Sequence, residues 1–315
     1  MSPPFPPLQA DLTHQLQAWL AEDLGRGDLT RPALMEREGR AEWIAKRDGV
    51  FCGGVLVEPL FRLLDPRVWV EGLVPDGERV SAGQRLLSVA GPAAALVAGE
   101  RTALNLAMRL SGVATATAAL VAELEGTGAQ LVDTRKTTPG LRVWEKYAVR
   151  CGGGVNHRFG LDDAAMLKEN HLAWGGGIGP AVAAVRASAP WPTKVIVEAE
   201  TEEEARAALR AGADGVLLDG FSPEDLLVLV PRLRQLSAEL SAACEDGVSE
   251  ASWADRRPRC AWAGGGARAV LEASGVAPEA LRATAASGVD LISTSAPITR
   301  GGWLDISMRF VPQIA

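Results

Sequence analysis

Basic side chains gather in one stretch of the sequence, DTRKTTPGLRVWEKYAVRCGGGVNHRFGLDDAAMLKENH, which also holds two of the three histidines. Arg135 and Lys136 follow an apolar run, and Lys168 ends another. His157 and Arg158 follow a glycine-rich turn. Cations do not collect in a cleft without an anion that offsets their repulsion and their loss of hydration. The stretch therefore predicts a site for a small polyanion, in which Arg suits planar carboxylates and Lys suits phosphate.

Other basic residues have a plainer interpretation. Arg142, Lys146 and Arg150 follow one another at helical spacing after Pro139-Gly140, which favours an exposed helix face. The remaining histidine, His14, lies in a predicted N-terminal helix and is expected to be a surface residue.

Two carboxylates, Glu198 and Asp219, each end an apolar run and lie one strand–helix unit apart. Beside bound phosphates, such carboxylates suit ribose hydroxyls and a Mg²⁺ ion shared with pyrophosphate. Salt bridges to the basic residues are the alternative, and the two interpretations are compatible. The segments Ser274-Gly275 and Ser293-Thr294-Ser295 could offer N–H groups and hydroxyls to a terminal phosphate.

The elements that must position these residues follow from an alternation of apolar runs and helical stretches. The runs are LVDTRK, AAMLKENH, KVIVEAE, GVLLDG, AVLEASG and DLISTS. Several strand–helix–strand units in series predict a parallel sheet, and a (β/α) barrel is the commonest way to close one. The polar residues stand at the carboxyl ends of the runs, where barrel enzymes build their sites. An open doubly wound sheet is the alternative, but no GxGxxG motif follows a first strand.

Two further regions complete the α/β organisation. Residues 1–113 predict a first domain of short strands and helices, and residues 114–302 the barrel. The segment 303–315 alternates apolar and polar residues, as a half-exposed strand does, so we expect it to leave the barrel and join the first sheet. Residues 238–262 are polar and without periodicity, which predicts a surface insertion.

Composition limits the function. A net charge of −7 argues against non-specific nucleic-acid binding. The four cysteines lie too far apart for a zinc or redox motif and are expected to be reduced thiols. The proline-rich start does not resemble a signal peptide, and no apolar stretch approaches the ~18 residues of a membrane span. We therefore expect a cytoplasmic protein without a membrane partner.

Four motifs resemble those of the quinolinate phosphoribosyltransferases (carboxylating nicotinate-nucleotide pyrophosphorylases), in the same order. They are EDLGRGDLT at 22–30, ERTALNLAMRLSGVAT at 100–115, DTRKTTPGLRVWEKYAVRCGGGVNHRFGL at 133–161 and AGADGVLLD at 211–219. The third motif alone is highly specific. The resemblance covers nearly the whole chain except the N-terminal leader and the insertion.

The resemblance implies an N-terminal α/β sandwich domain, an incomplete (β/α) barrel and a homodimer or larger assembly. It implies a cytoplasmic enzyme of NAD biosynthesis that joins quinolinate to phosphoribosyl pyrophosphate with loss of carbon dioxide, using Mg²⁺. The implied ligands of the quinolinate carboxylates are Arg101, reaching from the neighbouring subunit, Arg135, His157, Arg158 and Lys168. Those implied for the phosphoribosyl donor and its metal are Thr134, Lys136, Glu198 and Asp219, with Ser274, Gly275, Ser293, Thr294 and Ser295 in the late phosphate loops. Lys136, Lys168, Glu198 and Asp219 are the expected catalytic residues.

Five positions depart from the family's usual pattern, mostly in the late loops: Glu169, Gly220, Val276, Ser295 and Arg300. Two alternatives therefore stay open. One is a related phosphoribosyltransferase linked to molybdenum uptake that acts on another ring. The other is a relative that binds ligands without turnover. The first would not need the dicarboxylate ligands, and the second would not need Glu198 and Asp219.

Overall fold

The computed structural model describes residues 4–7, 11–246 and 268–311 of the chain. Its contacts divide the chain into two compact units, each made of several chain segments. The first unit comprises Met1–Ala119, Lys136–Gly154 and Ala296–Ala315, and the second comprises Leu120–Arg135 and Val155–Ser295.

The strands are β1 (Glu38–Ala45), β2 (Gly49–Val50), β3 (Trp69–Glu71), β4 (Arg79–Val80), β5 (Arg85–Pro92), β6 (Gln130–Val132), β7 (Ala165–Leu167), β8 (Val195–Ala199), β9 (Gly215–Asp219), β10 (Val270–Ser274), β11 (Leu291–Ser293) and β12 (Ile306–Phe310). The α-helices are α1 (Leu12–Leu24), α2 (Val57–Leu64), α3 (Ala93–Glu123), α4 (Arg142–Cys151), α5 (Glu169–Trp174), α6 (Ile178–Ser188), α7 (Glu202–Arg210), α8 (Pro223–Asp246), α9 (Leu281–Ala285) and α10 (Ala296–Thr299). Short 3₁₀ turns occupy Arg31–Leu34, Gly54–Leu56 and Pro278–Ala280.

The first unit is built on an antiparallel sheet with the strand order β12-β1-β5-β3. Alternate residues of β1, among them Ala41 and Trp43, are fully buried, as a period of two requires when one face of a sheet covers a core. Strand β12 pairs with β1, with Met308 opposite Trp43. Gly112 of α3 permits a close backbone approach here, since an added Cβ would lie 1.8 Å from the carbonyl oxygen of Gly302. The C-terminal segment is therefore part of the first unit.

The second unit is a parallel sheet with the strand order β6-β11-β10-β9-β8-β7, in which helices connect consecutive strands from β7 to β11. From β7 to β11 the strands lie in chain order, and β6 lies next to β11. Strands β6 and β7 therefore form the two edges of the sheet, which does not close. Val155 forms a single parallel bridge to Val132 beyond the edge of β6. This is an incomplete (β/α) barrel, as the resemblance implies.

Three expectations differ from the structure. The segment 136–154 groups with the first unit rather than with the barrel, because α4 packs into the first hydrophobic core through Trp144 and Tyr147. That packing buries α4 on nearly every side, so Lys146 is fully buried and the predicted exposed face is wrong there, although Arg150 is exposed. Helix α8 continues to Asp246 and packs Leu240 against the barrel core, so the first part of the predicted insertion is helix. Residues 247–262 of that insertion lie outside the described residues.

Helix α3 is long and apolar enough to cross a membrane by length and composition, contrary to the expectation from the sequence. Half of the apolar 18-residue stretch of this helix is buried inside the protein. The core helix of a soluble protein meets the same criteria of length and composition.

Candidate functional site

The carboxyl edge of the parallel sheet gathers most of the predicted site residues of the second unit. Strand register pairs Leu167 with Val197, so Lys168 and Glu198 leave neighbouring strands at the same level. The Lys168 ammonium donates to Glu198 Oε2, and the Glu198 side chain is mostly buried while that of Lys168 is half exposed. A salt bridge to a basic residue was one of the two interpretations of Glu198 from the sequence, and Lys168 is the residue that forms it.

Asp219 and the loop after β10 lie next to each other at this edge. Register pairs Ser274 with Asp219, and an added Cβ on Gly275 would lie 3.5 Å from Asp219 Oδ1. Gly275 has a φ of +72°, which favours glycine. Gly220 has a φ of +75°, a conformation that glycine and asparagine both tolerate. Glycine at this position, one of the departures from the family's pattern, is therefore compatible with the backbone conformation.

The β6 and β11 strand ends bring the remaining loop residues to the same edge. Ser293 pairs with Val132, and the Thr294 N–H donates to the Val132 carbonyl at 3.0 Å. Thr134 follows two residues after Val132, so it emerges beside Ser293 and Thr294.

Arg158 is a buried guanidinium that has no ion-pair partner among the described residues. The residue is 9% exposed, and its Nη1 donates to the Ala164 carbonyl at 2.9 Å. No carboxylate oxygen among the described residues forms an ion pair with it. Burial lowers its pKa first, and the neighbouring positive charge of Arg135 lowers it further. The carboxylate of Asp163 acts in the opposite direction but has the smallest effect of the three. A buried guanidinium without an ion-pair partner among the described residues favours an anionic ligand.

His157 makes several contacts within the second unit. Its backbone N–H donates to Asp133 Oδ1 at 2.7 Å, and its Nε2 lies 3.2 Å from Glu272 Oε2. Its Nδ1 accepts the backbone N–H of Arg158 at 2.7 Å.

Asp133 and Glu272 were missed as site residues by the sequence analysis. Both are almost fully buried carboxylates, 2% and 3% exposed. The available signal was an acidic residue inside or directly after an apolar run, which is costly to bury without a dedicated partner.

A cavity of about 530 Å³ opens among the amino-terminal ends of the strands of the second unit. Its walls include Ile196, Val270 and Leu291, and it extends to His157, Arg158 and Glu272. Lys168, Glu198, Asp219 and Ser274 do not line it. The predicted phosphate and metal ligands therefore lie at the opposite end of the strands from the cavity mouth.

Arg101 and Lys136 belong to the first unit, and both are exposed. Arg101 lies in α3, and Lys136 directly follows Arg135 in the chain. Among the departures from the family pattern, Glu169 begins α5 and is exposed, and Arg300 is exposed in the first unit. Val276 packs against the barrel core.

Two family descriptions match the chain. "Quinolinate phosphoribosyl transferase, N-terminal domain" matches residues 28–111, and the C-terminal domain of the same family matches residues 113–257.

The chain belongs to the quinolinate phosphoribosyltransferase family.

Relatives of known name agree with this assignment. The chain is 40% identical to the probable carboxylating nicotinate-nucleotide pyrophosphorylase of Synechocystis, over 94% of this chain and 91% of that protein. It is 40% identical to the human carboxylating nicotinate-nucleotide pyrophosphorylase, over 74% of this chain and 79% of that one. The solved nicotinate-nucleotide pyrophosphorylase of Francisella tularensis superposes with a TM-score of 0.82 at 32% identity, covering 97% of this chain and 98% of that one. This quinolinate phosphoribosyltransferase therefore shares its fold with a solved nicotinate-nucleotide pyrophosphorylase.

Proposed function

We propose that the protein joins quinolinate to phosphoribosyl pyrophosphate and releases pyrophosphate and carbon dioxide, forming nicotinate mononucleotide for NAD biosynthesis. The observation that carries the proposal is Arg158, whose guanidinium is buried, forms no ion pair among the described residues and has its pKa lowered by burial and by the charge of Arg135. Quinolinate is a dianion with two adjacent carboxylates on a flat ring. Planar guanidinium forks match such carboxylates with two parallel hydrogen bonds.

Lys168 supplies a further cation for the dicarboxylate. Its pair with Glu198 keeps its charge compensated before substrate binds. Because the Lys168 side chain is 42% exposed, the ammonium can donate to a substrate carboxylate from the same position. A ring with a single carboxylate would form only one of these two contacts, which favours quinolinate over nicotinate.

We assign the binding of the phosphoribosyl donor to residues at the carboxyl ends of the strands. Glu198 and Asp219 are the acceptors for the ribose hydroxyls, and Lys136 with Thr134 binds the pyrophosphate. The loops Ser274-Gly275 and Ser293-Thr294-Ser295 provide groups for the terminal phosphate, since Ser274 and Asp219 are register partners. The Thr294 N–H is bonded to the Val132 carbonyl and fixes its loop to β6, so Thr294 contributes its hydroxyl.

Magnesium is the metal that suits this set of oxygen donors. The described residues contain no cluster of three or more His, Cys, Asp or Glu side chains that could hold a metal. Mg²⁺ is commonly held through one or two carboxylates together with substrate phosphates, so Glu198 and Asp219 fit it directly or through water. When bound, the ion neutralises charge on the departing pyrophosphate.

The protein's own contribution to the reaction is binding and orientation. The arginines hold the ring so that its nitrogen faces C1 of the ribose, and Lys136 stabilises the negative charge of the departing pyrophosphate. Orientation of this kind is worth up to about 7–11 kcal/mol. Once the nitrogen carries the ribose, the positive ring draws electrons from C2, the C2 carboxylate leaves as carbon dioxide and a proton takes its place.

Assembly and location complete the proposal. We propose a cytoplasmic homodimer or larger assembly in which Arg101 reaches the quinolinate site of the neighbouring subunit. The exposure of Arg101 on α3 supports this role, because an exposed arginine is available to a second chain. Gel filtration with light scattering, combined with mixing of Arg101→Ala subunits and subunits inactivated in the barrel, tests it through recovery of activity.

The deciding experiment incubates the purified protein with quinolinate, phosphoribosyl pyrophosphate and Mg²⁺. Equal amounts of nicotinate mononucleotide and carbon dioxide are expected, with no product from nicotinate. Lys136→Ala should lower turnover sharply, whereas Lys46→Ala, an exposed lysine of the first unit, should not. Tight quinolinate binding without product would support the non-catalytic alternative, and activity on a different ring would support the related transferase.

A further inference from the structure

Two aspartates at the amino-terminal end of the barrel, Asp214 and Asp290, make the same set of contacts. Asp214 directly precedes β9, and Asp290 directly precedes β11. Each follows a glycine of positive φ by two residues, Gly212 at +79° and Gly288 at +85°. The segments AGADGVLLD at 211–219 and ASGVDLISTS at 286–295 share this spacing. The chain therefore uses one arrangement twice, at two strand starts.

Asp214 binds β8 through both its backbone and its side chain. Its N–H donates to the Val195 carbonyl at 2.8 Å, and its Oδ2 accepts the Val195 N–H at 2.8 Å. Its own carbonyl accepts the Val270 N–H of β10 at 3.1 Å. Arg186 of α6 donates to the same Oδ2, and Lys194 donates to Oδ1 at 3.0 Å. One residue thus fixes the start of β9 to both neighbouring strands.

Asp290 repeats these contacts two strands later. Its N–H donates to the Leu271 carbonyl of β10 at 2.9 Å, and its Oδ2 accepts the Leu271 N–H at 2.8 Å. Its carbonyl accepts the Gln130 N–H of β6 at 2.9 Å. Arg234 of α8 donates to Oδ2 at 2.5 Å, and Arg268 donates to Oδ1 at 2.7 Å. The start of β11 is therefore fixed to both of its neighbours in the same way.

Both aspartate side chains are mostly buried. The residues whose N–H groups they accept, Val195 and Leu271, are fully buried. Removing either carboxylate would leave a buried backbone N–H without this acceptor, and buried N–H groups are costly to leave unbonded. Each side-chain bond therefore favours one alignment of two neighbouring strands.

The opposite ends of the same four strands carry groups that we assigned to the phosphoribosyl donor. Glu198 lies near the end of β8, and Asp219 ends β9. Ser274 ends β10, and Ser293 ends β11. None of these strands is longer than five residues, and β10 pairs with β11 through two residue pairs. A slip of one residue shifts a side chain by about 3.3 Å and turns it to the other face of the sheet. The register at the start of such short strands therefore decides where their last side chains lie.

We infer that Asp214 and Asp290 are positioning residues, which act on the binding of the phosphoribosyl donor from the opposite end of the barrel. Asp214 sets the register of β8 on β9, and with it the two carboxylates that accept the ribose hydroxyls. Asp290 sets the register of β10 on β11, and with it the two late phosphate loops. What the strand ends bind rests on the proposed function, whereas the control of register does not.

The first test measures amide hydrogen exchange by mass spectrometry in Asp214→Ala and Asp290→Ala, at a temperature at which circular dichroism shows both variants to be folded. Exchange should become at least about tenfold faster in peptides of β8 and β9 for Asp214→Ala, because the local bond is lost. For Asp290→Ala the same change is expected in peptides of β10 and β11. Acceleration that is spread evenly over the barrel, or absent, would overturn the inference.

The second test compares the kinetics of the Ala variants with those of Asp214→Asn and Asp290→Asn. Asp214→Ala should lower turnover by roughly tenfold with a smaller change in the KM of phosphoribosyl pyrophosphate, since the ribose acceptors move. Asp290→Ala should raise that KM by roughly tenfold with a smaller change in turnover, since the phosphate loops move. Asn keeps an acceptor for the strand N–H, so both Asn variants should stay within about threefold of the wild type.

Glu202→Ala is the matched control, because it removes ion pairs with Arg206 and Arg232 without touching a strand. It should leave both kinetic constants unchanged. The same kinetic loss in both Ala variants, in proportion to their melting temperatures, would mean that the aspartates only stabilise the barrel. Equal losses in the Ala and Asn variants would mean that charge rather than register matters, and either result would overturn the inference. If the wild type does not turn over quinolinate, the proposed function fails, while the exchange measurement still decides the control of register.

Discussion

The ammonium of Lys168 and the carboxylate of Glu198 form an ion pair between the ends of neighbouring parallel strands, at the same level of the sheet. Both residues were predicted to contact substrates, Lys168 the quinolinate and Glu198 the ribose. The pair therefore links the two binding halves of the proposed site, and a change in one residue affects the electrostatic environment of the other.

Glu198→Gln separates these two roles. The variant leaves Lys168 without its counter-charge and free to bind a substrate carboxylate, so the quinolinate KM should not rise. Turnover should fall by roughly 10–100-fold, because the charged acceptor for the donor ribose is lost. Steady-state kinetics, with each substrate varied in turn, measures the quinolinate KM and the turnover rate. The matched control is Glu200→Gln, an exposed glutamate just beyond β8, which should leave both constants unchanged. A higher quinolinate KM with unchanged turnover would mean that Glu198 only orients Lys168.

Arg158→Met should weaken quinolinate binding and raise the melting temperature. Met has a similar length and removes a buried charge that Arg135 repels, so the melting temperature should rise by about 2 °C, or roughly 0.5–1 kcal/mol. Quinolinate binding should weaken by about 100-fold, since a bidentate charged contact is lost. Calorimetric titration and thermal melts measure the two effects. Arg206→Met, which breaks a surface pair with Glu202, is the control and should change neither by much. A lower melting temperature for Arg158→Met would show that the guanidinium is compensated in the free protein.

The barrel and the carboxyl-edge residues could be predicted from the sequence, because strands buried on both faces appear as apolar runs and polar residues stand at their ends. Lys168, Glu198, Asp219 and Ser274 lie where that pattern put them. Their roles toward substrates stay predictions.

The failures have physical reasons. Lys146 has helical spacing to two other cations, but spacing does not reveal that α4 is covered on nearly every side. The start of the insertion resembles a loop in its polarity, yet its Ala, Glu and Leu residues also have high helix propensity, and α8 continues through them. The contacts of His157 could not be predicted from spacing, because its backbone N–H and its Nε2 meet carboxylates that are far away in the chain, Asp133 and Glu272.

Asp76 should make stability depend on pH in the direction opposite to most carboxylates. It is 5% exposed, accepts from the Gly54 N–H at 2.8 Å and the Tyr147 hydroxyl at 3.0 Å, and has a pKa raised above 3.8 chiefly by burial. The folded state thus binds this proton more tightly than the unfolded state. Its contribution to stability is greatest below pH 3.8 and declines as the pH rises toward the raised pKa.

Asp76→Asn tests this sign, because Asn is neutral at every pH and keeps an acceptor for Gly54. The melting temperature of the variant relative to the wild type should increase between pH 4 and 7. Melts at unit pH steps measure the trend, with Asp305→Asn, an exposed site of the first unit, as the control for removal of one negative charge. Parallel curves for Asp76→Asn and the wild type would contradict the raised pKa.

Glu145 should be one of the most costly residues to remove, because it holds three segments of the first unit together. It is fully buried and accepts from Arg109 Nη2 at 2.6 Å, the Thr138 N–H at 2.8 Å and the Thr138 hydroxyl at 2.7 Å. Arg109 in turn donates to the carbonyls of Ile298 and Gly301. Glu145→Ala leaves a buried cation unpaired, so urea unfolding should show a loss of about 3–5 kcal/mol.

The control for Glu145→Ala is Glu58→Ala, whose exposed pair with Arg62 should contribute about 0.5 kcal/mol or less. The double variant Glu145→Leu with Arg109→Met removes both charges and should recover much of the stability, because no buried charge is left unpaired. It should not recover the KM for phosphoribosyl pyrophosphate, since Thr138 anchors the loop that carries Lys136, two residues earlier in the chain. If the double variant recovers both its stability and the KM for phosphoribosyl pyrophosphate, packing alone positions the loop. If it does not recover its stability, Glu145 acts mainly through Thr138.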